Sequence, residues 1–191
     1  MRPTAEADDD VQLLARVARG DRLAMQVLFA RHRLRVFRFV LRYVRDEASA
    51  EDALAEVFLD VWRQAGAFEG RSSVSTWMLS IARFKALSLV RARKDTAPLD
   101  DEAAAGIADD ADDPEVEAAK KDKGALLRAC LQKLSAEHRE MIDLVYYHEK
   151  SVEEVARIVG VPPATAKTRL FYARQKLSEI FARSGVDRGW P

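Results

Sequence analysis

Residues 95–123 constrain the chain more than any other stretch, with eleven acidic side chains, Pro98, Pro114, a run of alanines and almost no bulky apolar residue. A segment of that composition buries too little surface to offset the conformational entropy lost on ordering. It reads as a flexible acidic linker, so folding must occur on either side of it, in residues 11–94 and 124–184. A short helix from Pro114 to Lys123 fits the good helix formers Glu115, Glu117, Lys120 and Lys121. The formal net charge is zero, but the average hides a segregation: −3 over residues 1–10, +8 over 11–94, −8 over 95–123 and +3 over 124–191. Two basic blocks around an acidic tether suit a protein that meets a polyanion at two places.

Both blocks read as all-α, two small helical domains without strands, because only 8 glycines occur and apolar residues recur at steps of three and four. From Val27, the positions Ala30, Leu34, Phe37, Leu41 and Val44 predict one buried helix face. Arg31, Arg35, Arg38, Arg42 and Arg45 follow one residue later and read as a solvated flank covering that face with their methylene stems. A second helix is expected to start at Ser49, with Asp52 as its reciprocal cap, and to bury Leu54, Val57, Phe58, Val61, Trp62 and Ala65. Asp52, Glu56 and Asp60 then form an acidic ridge on another face. A third helix opens near Ser72 or Ser73 and carries Val74, Trp77, Met78, Ile81 and Leu89. It ends in Arg91, Arg93 and Lys94, cations that complement the negative end of a helix dipole.

Several function classes are excluded. No apolar run of about 18 residues occurs, and the acidic start does not resemble a signal peptide, so a cytoplasmic protein without membrane insertion is expected. Cys130 is the only cysteine. Leu126, Leu127, Leu131 and Leu134 around it suggest a buried, inert thiol. No nucleophile elbow, phosphate-cradling glycine loop or zinc-binding histidine helix is present. His32 sits among arginines, while His138 and His148 flank one helix, which predicts surface or capping roles. No catalytic residue, metal, cofactor or small-molecule substrate is expected.

The sharpest local pattern runs from Ser151 to Leu177. Ser151 and Glu154 form a capping box, Val152, Val155, Ala156 and Val159 a short amphipathic helix, and Gly160 to Pro163 a tight turn. Pro163 suits the first turn of the following helix, whose Ala166, Leu170, Ala173 and Leu177 face inward. Thr165, Lys167, Thr168, Arg169, Phe171, Tyr172 and Arg174 are left outward or sideways. This is a helix-turn-helix, and its second helix fits the DNA major groove. Lys167 and Thr168 are placed for base edges, Phe171 for a thymine methyl, and Arg169 or Arg174 for phosphate.

Here the chain resembles a known family. Residues 135–147, Ser151 to Ala156, Pro163 to Leu170, Ala173, Arg174 and Leu177 look like the minus-thirty-five-reading domain of extracytoplasmic-function sigma factors. Glu51 to Arg63, Phe68 to Ser72 and Ser75 to Arg83 resemble the polymerase-binding and minus-ten-reading helices of the same family. The resemblance covers about 150 residues, with both motif sets in order. It implies core RNA polymerase and promoter DNA, both duplex and melted strand, as partners, an anti-sigma factor as controller, and a role in stress or envelope response. By resemblance, Asp52, Glu56 and Asp60 with Val57, Phe58 and Trp62 dock on the polymerase clamp. Phe68, Arg71, Ser72, Ser73, Val74, Trp77, Arg83 and Phe84 meet the melted minus-ten strand, where an extruded base needs a pocket and nearby cations. Two positions depart from the family pattern: Phe84 stands where most relatives carry asparagine, and Ser88 where they often carry aspartate. An aromatic ring can stack on a base but cannot form the amide's hydrogen bonds.

Two other readings stand beside this one. An operator-binding regulator would bind duplex DNA without polymerase, though no dimer helix is evident. A helical adaptor that binds only protein would leave Lys167, Thr168 and Arg174 without a purpose.

Overall fold

The computed structural model describes residues 5–96 and 126–184 of the chain. Of the linker expected at residues 95–123, Asp95 and Thr96 instead close the helix Val74–Thr96, and the remainder, with the expected helix at Pro114 to Lys123, lies outside the described residues. The chain divides into two compact units, residues 1–105 and 106–191. Every regular element among the described residues is helical. In the first unit these are α1 (Ala5–Val17), α2 (Arg22–Val44), α3 (Glu47–Gln64), a 3-10 turn (Ala65–Ala67) and α4 (Val74–Thr96). In the second they are α5 (residues 126–132), α6 (Ala136–Ile142) running into a π-helical turn (Asp143–Tyr147), α7 (Val152–Val159) and α8 (Pro163–Arg183).

α2 is the spine of the first unit, packed against α1, α3 and α4. Its buried residues are Ala24, Leu28, His32, Val36, Phe39, Val40, Leu41 and Val44. The expected face was therefore right in period and wrong in phase. Only Leu41 and Val44 of that stripe are buried, Phe37 is half-buried, and Leu34 is 55% and Val27 40% exposed. The physical reason is His32, a polar residue in the buried row, which made the true face look interrupted. It is 8% exposed, and its Nε2 lies 2.7 Å from Asp10 Oδ2. The expected surface role for His32 is thus corrected, as is the view of Arg31 as mere flank: Arg31 pairs with Asp10 at 3.0 Å and with Asp9.

These contacts give the acidic start of the chain a structural use, since α1 is latched to α2 through Asp10. Burial raises the Asp10 pKa, but the hydrogen bond from His32 and the charge of Arg31 outweigh it and hold the carboxyl below its ordinary value. Because the folded-state pKa is depressed, the stabilisation is present above the ordinary carboxylate value of 3.8 and is lost as pH falls beneath it. Asp10→Ala is expected to cost about 2 kcal/mol at neutral pH by leaving His32 buried without its acceptor, and to flatten the acid limb of the stability profile. Urea denaturation followed between pH 3 and 7 checks both effects.

α3 starts earlier than expected. Asp46, not Ser49, is the N-cap, and its carboxylate accepts from the Ser49 backbone N–H at 2.9 Å. Arg93 of α4 donates to the Val44 carbonyl at 2.8 Å, to Asp46 at 3.2 Å and to the Ser49 hydroxyl. It thereby ties the end of α4 to the α2–α3 corner, which is more than helix-end charge. α3 buries Ala50, Ala53, Val57, Phe58 and Val61, with Leu54 and Trp62 half-buried at its edge. α4 begins where expected: the Ser73 hydroxyl accepts from the Thr76 N–H at 3.3 Å. Val74, Met78, Leu79, Ala82 and Ala86 face the core, while Ile81 and Leu89 are half-buried.

The second unit is built around α8, against which α6 and α7 pack. Met141, Leu144, Val155, Ala166 and Ala173 are fully enclosed there. Arg139 caps the end of α5 by donating to the carbonyls of Leu131, Gln132 and Leu134 at 3.1, 2.9 and 3.1 Å. Cys130 is buried as expected, with its Sγ 3.7 Å from the Ser184 hydroxyl. Of the surface or capping roles expected for His148, the surface one is corrected: it is buried, its backbone N–H caps the π-helical turn by donating to the Asp143 carbonyl at 3.1 Å, and its Nε2 lies 3.6 Å from the equally buried Asp143 carboxylate. His138 is half-buried in the first turn of α6, where its backbone N–H is capped by Ser135.

Candidate nucleic-acid and polymerase interfaces

The helix-turn-helix forms as its residues dictate. Ser151 Oγ accepts from the Glu154 N–H at 3.2 Å, and Glu154 returns the favour to the Ser151 N–H at 3.0 Å. Gly160 closes α7 at φ 76°, a left-handed conformation that a side chain would strain. Pro163 then opens α8. With Ala166, Leu170 and Ala173 turned inward and Leu177 half-buried, the opposite face presents Lys167, Thr168, Phe171, Tyr172 and Arg174 to solvent. Thr165 and Arg169 are half-buried. Three of these side chains have polar partners within the unit. Thr168 donates to the Ala164 carbonyl at 3.0 Å, Arg169 faces Glu137 at 3.9 Å, and Arg174 donates through Nε to the Tyr146 hydroxyl at 3.0 Å. The rings of Phe171 and Tyr172 meet edge to face at 5.5 Å. Tyr146 is the residue that sequence reasoning missed here, because nothing in a linear pattern pairs the end of α6 with the middle of α8.

In the first unit the loop between α3 and α4 turns at Gly70, φ 68°. Phe68 is half-buried, with its ring 5.4 Å from that of Trp77. Arg71 is exposed and pairs with Glu69. Ser72 donates to the Ser73 carbonyl at 3.3 Å, and the Ser73 and Thr76 hydroxyls lie 2.8 Å apart. Val74 is core, so it anchors this loop and offers no surface of its own. Arg83 is half-buried, whereas Phe84 is 69% exposed on α4. The loop and α4 thus bring Phe68, Trp77 and the serines together at one end of the helix, with Phe84 two to three turns further along.

The acidic ridge of α3 exists, but it is not uniform. Asp52 and Glu56 are exposed and Asp60 is half-buried. Lys85 of α4 reaches across to Asp60 at 3.0 Å and Glu56 at 3.2 Å. Those bonds, Asp60 first, raise the lysine pKa. Of the apolar neighbours assigned to the ridge, Val57 and Phe58 are core, and the Phe58 ring packs edge-on to Phe29 at 4.8 Å. Trp62 stays at the rim and Leu59, unassigned from sequence, is 46% exposed. Lys85 was equally invisible in the sequence, since its role depends on how α4 crosses α3.

Among the described residues no cluster of histidine, cysteine and carboxylate side chains is arranged to hold a metal, and no helix is long and apolar enough to cross a membrane. Comparison with known proteins matches residues 28–96 to Sigma-70 region 2 and residues 125–177 to Sigma-70 region 4. The chain is similar to the ECF RNA polymerase sigma factor SigM of Mycobacterium tuberculosis, 31% identical over 93% of this chain and 88% of the relative. It is also similar to the RNA polymerase sigma-H factor of Pseudomonas aeruginosa, 28% identical over 90% and 93% of the two chains. Its fold is shared by the sigma factor RpoE of Bartonella quintana, solved with the anti-sigma factor NepR. That match has a TM-score of 0.67 and 24% identity, and covers 85% of this chain and 98% of that one. The two helical units, their order and these relatives lead to one conclusion: the chain belongs to the extracytoplasmic-function family of RNA polymerase sigma factors, non-enzymatic proteins that direct promoter-specific transcription initiation.

Proposed function

We propose that the first unit docks on core RNA polymerase through Asp52, Glu56, Asp60 and Trp62, and takes the melted minus-ten strand between the Phe68 to Ser73 loop and Phe84. The second unit reads duplex DNA at the minus-thirty-five element through α8. The observation that carries this reading is α8 itself. Its inward face is fixed by Ala166, Leu170 and Ala173, so Lys167, Thr168 and Phe171 project from the first turns of a helix whose N-terminus is free of capping side chains. That is the geometry of a helix inserted end-first into a major groove. Phe84 supports the minus-ten half, because an aromatic side chain so exposed on a helix is a stacking platform for an unpaired base.

The expected setting is the bacterial cytoplasm, in a stress or envelope response under an anti-sigma factor; the solved RpoE–NepR complex supports such control by analogy. Run-off transcription with purified core polymerase on a promoter library tests the whole reading. Defined new start sites, lost when either promoter element is scrambled, are expected. Tight duplex binding by the protein alone with no initiation would replace it with the operator-binding regulator.

A further inference from the structure

The contact between the π-helical turn that follows α6 and the middle of α8 has the makings of a binding site. Arg174 Nε donates to the Tyr146 hydroxyl oxygen at 3.0 Å, and the guanidinium carbon stands 5.6 Å from the centre of the Tyr146 ring. The bond consumes one of five guanidinium donors and one phenol lone pair. It leaves the phenol hydrogen and the terminal guanidinium N–H groups available to an acceptor. Tyr146 is 58% exposed and Arg174 is exposed, so both polar ends meet solvent.

The position of the pair selects the acceptor. Arg174 follows Pro163 by eleven residues on α8, which at 1.5 Å per residue is about 16 Å along the helix. The major groove is about 12 Å wide. A helix whose first turns contact base edges therefore carries Arg174 past the groove floor and over the sugar-phosphate wall. The π-helical turn Asp143–Tyr147 supplies the second half of the site: with its wider winding, Tyr146 and Tyr147 both stay on the surface while Asp143 and Leu144 are buried. Insertions of this kind recur at functional sites.

We propose that Tyr146 and Arg174 together form a seat for one backbone phosphate of the minus-thirty-five duplex. Tyr146 holds the guanidinium in place and donates its own hydroxyl hydrogen to the phosphate. The proposal rests on α8 being the duplex-reading helix, and deepens that reading by assigning a residue outside α8 to the DNA contact.

The test is a double-mutant cycle in the reconstituted holoenzyme, measuring promoter affinity for the parent chain, Tyr146→Phe, Arg174→Ala and the double variant. Thermal melts of each serve as a folding control. Arg174→Ala is expected to weaken binding about tenfold and to reduce the salt slope by about one. Tyr146→Phe, which keeps the ring, is expected to weaken it about fivefold on its own but only about twofold in the Arg174→Ala background, where the hydroxyl has just its own bond to the phosphate to lose. Both losses should be the same across variant minus-thirty-five sequences, as a phosphate contact requires. Additive losses, or a loss confined to particular base pairs, would overturn the proposal while leaving α8 as the reader. Indifference of every variant, and of the parent, to scrambling the minus-thirty-five element would instead sink the duplex-reading assignment beneath it.

Discussion

Met141→Ala is expected to unfold the second unit near physiological temperature while leaving the first intact. Met141 has no exposed surface and lies where α6 packs on α8. Truncating such a side chain costs its transfer energy and leaves a cavity, together about 3 kcal/mol. The second unit has 59 described residues, a size at which total stability sits near the low end of about 5–15 kcal/mol. A loss of this size therefore lowers its melting temperature by roughly 15 °C. Calorimetry should show one transition displaced and the other unmoved. In transcription assays the variant is expected to keep polymerase binding and lose dependence on the minus-thirty-five element. A joint shift of both transitions would mean that the two units fold as one.

The second large effect is expected at the ridge on α3. Neutralising it with Asp52→Asn, Glu56→Gln and Asp60→Asn should weaken core polymerase binding by about a hundredfold, taking roughly 1 kcal/mol for each interfacial charge. It should also abolish most of the salt dependence of that binding. Lys85 sharpens the expectation. It already engages Glu56 and Asp60, so a cationic partner must compete with it for these two carboxylates, while among the described residues Asp52 has no cation within ion-pair distance. Lys85→Met, which removes the competitor, is expected to strengthen polymerase binding at low salt. Titration of fluorescently labelled protein with core enzyme at several salt concentrations reads both variants. Unchanged affinity in the triple variant would remove the ridge from the polymerase surface.

How much of this was legible in the sequence depends on which physical signal was at stake. Local backbone chemistry was readable: the Ser151 and Glu154 capping box, Gly160 and Pro163 each act alone or with near neighbours, and each stands where the residues put it. Periodicity fixed that α2 is a helix but not which way it faces. Two apolar rows run along it, Leu23, Val27, Ala30 and Leu34 against Ala24, Leu28, Val36, Phe39 and Val40, and the true row contains a histidine whose burial depends on a carboxylate twenty-two residues earlier. The same limit explains Arg93, Lys85 and Tyr146. Each acts across a helix crossing, on a partner 25 to 49 residues away, and no spacing rule within one helix reaches that far. Of the residues assigned to surfaces by resemblance, Val57, Phe58 and Val74 are core, since an amphipathic helix shares its boundary residues between packing and recognition.

The π-helical turn at Asp143–Tyr147 also makes the second unit sensitive to chain length in a particular way. Deleting one residue there would let the segment relax into regular α-helix with little change in bearing beyond it, because a π turn spends one extra residue on nearly the same rotation. Tyr146 and Tyr147 would then lose the wider winding that keeps both on the surface, while the chain would still reach the Ser151 cap from the same side. A substitution in this turn changes what a side chain does, whereas a single-residue deletion changes which residue stands opposite Arg174. Drift in length here would thus relocate a backbone contact in one step while the reading helix itself stayed unaltered.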